Sequence, residues 1–188
     1  MKILVLDNYD SFVYNLVYIL KQLHADVDVF RNDKIALEDV KKYDKILLSP
    51  GPGIPEEAGI MMDLLKEYKE TKSIFGVCLG HQAIGEAFGA KLENMGEVLH
   101  GVTTPCLVTD ASEVLFQNIP QKFEVCRYHS WTVIKDSMPA DLKVTALDPK
   151  GYVMAEAHQK FDVRGVQFHP EAYLTEHGVK MVENWLKH

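Results

Sequence analysis

The chain has 188 residues, 47% of them hydrophobic and 25% charged, with a net charge of −7. That length suits one globular domain over 1–188 that buries a core without disulfides or a metal, and an acidic balance with no basic run argues against nucleic acid as a partner. Three cysteines, at 78, 106 and 126, are too few and scattered for a disulfide framework and fit a reducing cytosol, while no apolar run reaches the roughly 20 residues of a membrane span or makes a signal peptide of MKILVLDNYD.

Taken in chain order, Lys2–Leu6 reads as a buried strand. Ser11 is placed to cap a helix running to about His24, with apolar residues at 12, 13, 16, 19, 20 and 23. Asp26–Phe30 alternates charged and apolar residues, the pattern of a partly exposed strand. A short helix is predicted over Ile35–Tyr43 and a buried strand over Lys45–Leu48. Pro50–Pro55 is a loop, since its prolines and glycines suit no element interior. Ala58–Tyr68 reads as helix, Ser73–Val77 as strand and Gly80–Phe88 as helix. This alternation predicts a mainly parallel sheet with helices on both faces, which binds ligands beyond the carboxyl ends of its strands. After about residue 90 the texture turns antiparallel. Strands are predicted at Thr103–Val108, Phe123–Tyr128, Thr132–Ile134, Leu142–Ala146, Val153–Ala157 and Val163–Phe168, and an amphipathic helix at Thr175–Lys187 closes the chain.

The chemistry centres on Phe75-Gly76-Val77-Cys78-Leu79-Gly80-His81-Gln82, where an apolar strand runs through Gly-x-Cys-x-Gly into a helix. This is the cysteine form of a nucleophile elbow, a tight strand-to-helix turn that exposes its central side chain. A helix N-terminus there supplies unpaired N–H groups and a positive dipole end, which favour a thiolate, and the Leu79 N–H is placed as an oxyanion donor. The elbow alone leaves open a second reading, in which Cys78 is a small core residue. Cys106 and Cys126 lie in apolar strands and read as core.

A nucleophilic thiol needs a base, and the base needs an orienting group. Gln167-Phe168-His169-Pro170-Glu171 offers both: His169 and Glu171 share one face of an extended segment, and Pro170 stiffens it. Alone, a His-x-Glu pair reads as a solvated surface pair. The loop Ser49-Pro50-Gly51-Pro52-Gly53-Ile54-Pro55 follows a buried strand, and its backbone N–H groups could approach a developing oxyanion. Alone, it reads as a plain turn.

Together these three segments resemble the class I glutamine amidotransferases. The opening Leu6-Asp7-Asn8-Tyr9-Asp10-Ser11-Phe12, with Tyr14-Asn15-Leu16, narrows the resemblance to the glutaminase subunits of anthranilate and aminodeoxychorismate synthases. It runs from residue 4 to the final helix with no extra domain and implies a flavodoxin-like α/β fold, a parallel sheet with a small antiparallel portion. It implies Cys78 as nucleophile, His169 as base and Glu171 as its orienter. Gly51 and Leu79 would form the oxyanion hole, with Pro52 and Gly53 beside the substrate. Gln82 and the backbone of Ser130 and Trp131 would hold the α-amino and carboxylate groups of L-glutamine. Trp131 stands where the family more often has Leu, and the neighbouring His129 is given no proton-transfer role.

No metal and no cofactor are expected, and no residue cluster has zinc spacing. At 188 residues no room remains for a chorismate site, so the expected partner is a large synthase subunit on another chain, anthranilate or aminodeoxychorismate. The rival readings are a stand-alone cysteine hydrolase, such as a γ-glutamyl peptidase, and a flavodoxin-like regulatory module with a vestigial site.

Overall fold

The computed structural model describes residues 1–188. Nine strands form one mixed sheet. Its parallel part comprises β1 (Lys2–Asp7), β2 (Asp26–Arg31), β3 (Lys45–Leu48), β4 (Ser73–Val77) and β11 (Val163–Val166), ordered β2-β1-β3-β4-β11. From β11 the sheet continues antiparallel through β10 (Val153–His158), β9 (Leu142–Leu147), β6 (Val102–Val108) and β7 (Lys122–Arg127). A separate pair, β5 (Leu92–Asn94) and β8 (Trp131–Val133), lies outside it. Helices α1 (Val13–Gln22), α2 (Met61–Tyr68), α3 (Leu79–Ala87) and α4 (Gly178–Lys187) cover the faces. None is long and apolar enough to cross a membrane.

Each face follows from strand periodicity. In β1, Ile3 and Val5 join a core with α1 and α4, while Leu4 and Leu6 join another with α2 and α3. Successive strand side chains point to opposite faces, so an unbroken apolar strand serves two layers. The charged β2 takes the edge and is the most exposed parallel strand. Lys45 is the polar exception in the buried β3: its ammonium donates to Ser73 Oγ and the Trp185 carbonyl, both at 3.1 Å, tying the last turn of α4 to the sheet. Burial lowers its pKa, as it must for an ammonium removed from water.

Several boundaries differ from expectation. The first helix starts at Val13, and the Asp10 carboxylate rather than Ser11 accepts the Phe12 N–H, at 2.7 Å. Residues 35–43 yield only a 3-10 turn, Leu37–Lys42, and α2 starts at Met61 after a second such turn at Pro55–Glu57. The last helix starts at Gly178, because Thr175 is engaged elsewhere: its hydroxyl donates to the His169 carbonyl and accepts the Cys126 N–H. The strand expected to reach Phe168 ends at Val166. Beyond it the chain crosses toward the antiparallel half, with Gln167 N–H on Met154 O at 2.8 Å and His169 N–H on Cys126 O at 3.0 Å.

A buried polar pair ties α3 to the antiparallel half of the sheet. His81 on α3 and Glu156 on β10 are fully buried and 3.2 Å apart. Burial pushes the imidazole down to about 3 and the carboxyl well above its ordinary 4.5, so both are neutral in the folded chain. Unfolding exposes Glu156 and lets it lose a proton. The stability tied to it is therefore largest below the unfolded pKa and falls as pH rises toward the folded one. His81 acts at the acid end, where the unfolded chain gains a proton that the folded ring refuses. Glu156→Gln keeps a neutral hydrogen-bonding side chain and removes the first slope. Its melting temperature should gain on the parent's as pH rises above the ordinary carboxyl range. Parallel pH profiles of the two proteins would refute a buried neutral acid.

Candidate active site

Cys78 occupies the single residue between β4 and α3. Its φ of 53° and ψ of −101° lie where non-glycine residues are rare, a strain of about 1–3 kcal/mol that the surroundings must hold. Two things hold it. The Cys78 N–H donates to Val166 O at 2.9 Å, pinning the elbow to β11. Gly76 and Gly80 let backbone pass where a side chain cannot: a Cβ on Gly76 would sit 2.5 Å from the Gly80 carbonyl, and one on Gly80 would strike the Leu48 carbonyl oxygen. The elbow is thus packed against β3, β4 and β11 at once.

His169 and Glu171 lie on the crossing segment after β11. Glu171 Oε1 is 2.6 Å from His169 Nδ1, with side chains 0% and 2% exposed. His169 Nε2 is buried with no hydrogen-bond partner of its own. Burial alone would lower the imidazole pKa. The neighbouring Cys78 sulfur and the Glu171 carboxylate outweigh it and hold the ring well above its ordinary value. Phe12 and Tyr128 pack edge-on around the ring at 5.9 and 5.1 Å between centroids, limiting its swing. Thr175 secures the backbone below through the His169 carbonyl at 2.7 Å.

Cys78 opens into a cleft of about 210 Å³ at the carboxyl ends of β3 and β4. Gly51, Pro52, Gly53, Gln82, Ser130 and Trp131 line it with Cys78. Leu79 does not: its side chain belongs to the core with α2, and only its N–H matters here. The N–H groups of Leu79 and Gly51 donate to no group of the protein. Gly51 is close-packed, since a Cβ there would lie 2.5 Å from Asn8 O. Gln82 donates from Nε2 to Trp131 O at 2.9 Å and to Gln167 Oε1 at 3.1 Å, and its own oxygen accepts from no protein group. An acceptor facing a cleft suits an ammonium group.

His129 also lines the cleft, with both ring nitrogens already engaged by Arg127 and the Trp131 carbonyl. Cys106 and Cys126 are buried away from it, and burial pushes the Cys106 thiol up to about 12, which keeps it unreactive. Sequence reasoning missed Val98, Leu99 and His100 as cleft residues, whereas Tyr128 opens the Tyr128-His129-Ser130-Trp131 segment that it picks out. The segment carrying the first three has no periodicity; it reaches the cleft because Met95 and Leu99 donate backbone N–H to Ser130 O and His129 O. Tyr128 adjoins the recognisable His129-Ser130 pair, and the exposed rim position of Val98 left no signal at all. No group of three or more His, Cys, Asp or Glu side chains is arranged to hold a metal ion.

Residues 4–188 match the family model described as glutamine amidotransferase class-I. The chain is 46% identical to anthranilate synthase component 2 of Mycobacterium tuberculosis, over 99% of its own length and 82% of that relative. It is 45% identical to aminodeoxychorismate synthase component 2 of Escherichia coli K12, over 98% of both. Among solved structures it resembles a Thermoplasma acidophilum protein assigned to GMP synthase as one of its subunits, with a TM-score of 0.89 and 25% identity over 100% of this chain and 92% of that one.

Proposed function

The chain belongs to the class I glutamine amidotransferases, and from that premise we propose that it hydrolyses L-glutamine at Cys78 and hands the ammonia to a chorismate-using synthase. The observation that carries the reading is the strained Cys78 elbow, flanked by the buried His169–Glu171 pair and opening into a donor-lined cleft. All of 1–188 serves as one glutamine amidotransferase domain.

The steps follow from the groups present. His169 takes the thiol proton, and the Cys78 sulfur attacks the side-chain amide carbon of glutamine. The carbonyl oxygen gains negative charge and is met by the free N–H groups of Gly51 and Leu79. His169 then gives its proton to the amide nitrogen, the C–N bond breaks, and ammonia leaves a γ-glutamyl thioester. Water, with His169 again as base, attacks the thioester carbon and releases glutamate and the thiol. Glu171 fixes the Nδ1–H tautomer and steadies the imidazolium, since a carboxylate 2.6 Å away favours that charge. Pro52 and Gly53 shape the wall beside the reacting amide, the Gln82 oxygen receives the α-ammonium, and the Ser130–Trp131 backbone receives the α-carboxylate.

Ammonia is useful as a nucleophile only unprotonated, which favours delivery inside a complex over release to water. The names of the two curated relatives support, as partner, the large subunit of a synthase. Their identities of 46% and 45% do not separate anthranilate from aminodeoxychorismate synthesis, so we take the first as the primary reading and the second as its alternative. The tagged chain should copurify with a synthase component, and the complex should form anthranilate from glutamine and chorismate. Aminodeoxychorismate in its place would move the assignment to the alternative. Strong glutaminase activity with no synthase bound would favour a stand-alone hydrolase.

A further inference from the structure

Asp148 and Arg127 lie behind the cleft and adjoin His129 in its wall, and the mechanism above gives the three no part. Arg127 ends β7 and Asp148 follows β9, and both are 3% exposed. The Asp148 carboxylate is fully engaged: Oδ1 accepts the N–H groups of Lys150 and Tyr152 at 2.9 Å each, and Oδ2 accepts Arg127 Nη1 at 2.7 Å. So anchored, Arg127 aims Nε at His129 Nε2, 3.0 Å away. A guanidinium can only donate, so Nε2 is the acceptor and the ring proton sits on Nδ1. That proton meets the Trp131 carbonyl at 2.8 Å, the same oxygen that accepts from Gln82. Burial and the adjacent Arg127 charge push the ring down to about 3, so it stays neutral near neutral pH.

Stability gives no reason for an ion pair in this position, because apolar residues of similar volume commonly serve a core as well or better. Its effect on the cleft wall does. The three carbonyls of the turn are all taken: His129 O by Leu99 N–H at 3.0 Å, Ser130 O by Met95 N–H at 2.9 Å, and Trp131 O by the two side chains. A trans peptide turns its N–H opposite to its carbonyl, so the Ser130 N–H points away from Leu99, and it donates to no protein group. The turn therefore offers a donor and withholds its acceptors, which suits a carboxylate.

We propose that Asp148, Arg127 and His129 are positioning residues for substrate, holding and occupying the Trp131 carbonyl so that the 130–131 turn offers the α-carboxylate of glutamine N–H groups and no free acceptor. The proposal rests on the reading that glutamine occupies this cleft.

Two variants and one spectrum test it, in the complex with the synthase. Arg127→Gln/Asp148→Asn keeps polar side chains without leaving a buried charge unpaired, and His129→Asn leaves the ion pair intact. Each should raise the KM for glutamine about tenfold, the factor an ordinary hydrogen bond supplies, with kcat within about threefold of the parent. A folded variant with unchanged KM, or one that loses kcat instead, overturns the relay. In the parent protein, nitrogen-15 shifts should report His129 as the neutral Nδ1–H tautomer. An Nε2–H tautomer or an imidazolium overturns the proposal even where a variant fails to fold. Absence of glutamine hydrolysis in the parent complex would sink the functional reading instead, leaving the tautomer result to stand on its own.

Discussion

Cys78→Ser should leave a complex that makes product from ammonia and none from glutamine. A serine hydroxyl ionises far less readily than a thiol and lacks its intrinsic nucleophilicity, and nothing in this cleft is built to compensate. The only base at hand, His169, is already tuned to a sulfur partner. Loss of a nucleophile from a working triad costs about 10³-fold or more. The fold should survive, since the change is nearly isosteric and the strained backbone at Cys78 is held by Val166 and the flanking glycines rather than by the sulfur. Product formation with glutamine and with an ammonium salt, measured side by side, decides the matter. Loss of both activities in a correctly assembled complex would contradict the division of labour between the two chains.

Gly178→Ala should be nearly as damaging, although residue 178 lies outside the cleft. Helix propensity alone favours alanine over glycine by roughly 1 kcal/mol. Here the opposite sign is expected. A Cβ on Gly178 would overlap the Pro170 carbonyl oxygen and lie 2.7 Å from its carbon, and both are backbone atoms that cannot rotate away. Either α4 lifts off its seat or Pro170 moves, and Pro170 is the link between His169 and Glu171. A forced shift of buried backbone costs about 1–3 kcal/mol or more, which exceeds the propensity gain. A displacement near 1 Å in a catalytic pair costs about 10²-fold in rate. Denaturant unfolding and glutamine-dependent turnover per folded molecule should fall together. A variant with parental stability and rate would mean that α4 is not seated against Pro170 as described.

The sequence carried the parts of this molecule whose signal is local. Buried strands at β1, β3 and β4 are uninterrupted apolar runs, and the elbow and the His169-Pro170-Glu171 segment are short enough to read directly. Illegible were the features decided by distant partners. Leu92–Asn94 has no strand composition and is one only because Trp131–Val133 lies beside it. Glu156 sits between two alanines in a buried strand and gains its meaning from His81, on a helix elsewhere in the chain. The aromatic wall of Phe12 and Tyr128 around His169 joins the start, middle and end of the chain. In the same way, residues 98–100 line the cleft by hydrogen bonds to a turn thirty positions on, and no pattern of their own announces it.

The position of β11 has a consequence for how activity is acquired. This strand, formed near the chain's end, slots between β4 and β10, lies parallel to one and antiparallel to the other, and completes the elbow through Val166. Pairing β11 with β4 closes a loop of more than eighty residues, a contact of high sequence separation and hence a slow one to form. Helices and the β1–β4 ladder can assemble beforehand without yielding a working site. In a refolding experiment, glutamine turnover should therefore return with the last kinetic phase, after most of the helical signal has been regained. A chain emerging from synthesis would likewise stay inert toward glutamine until its final strand and helix are in place.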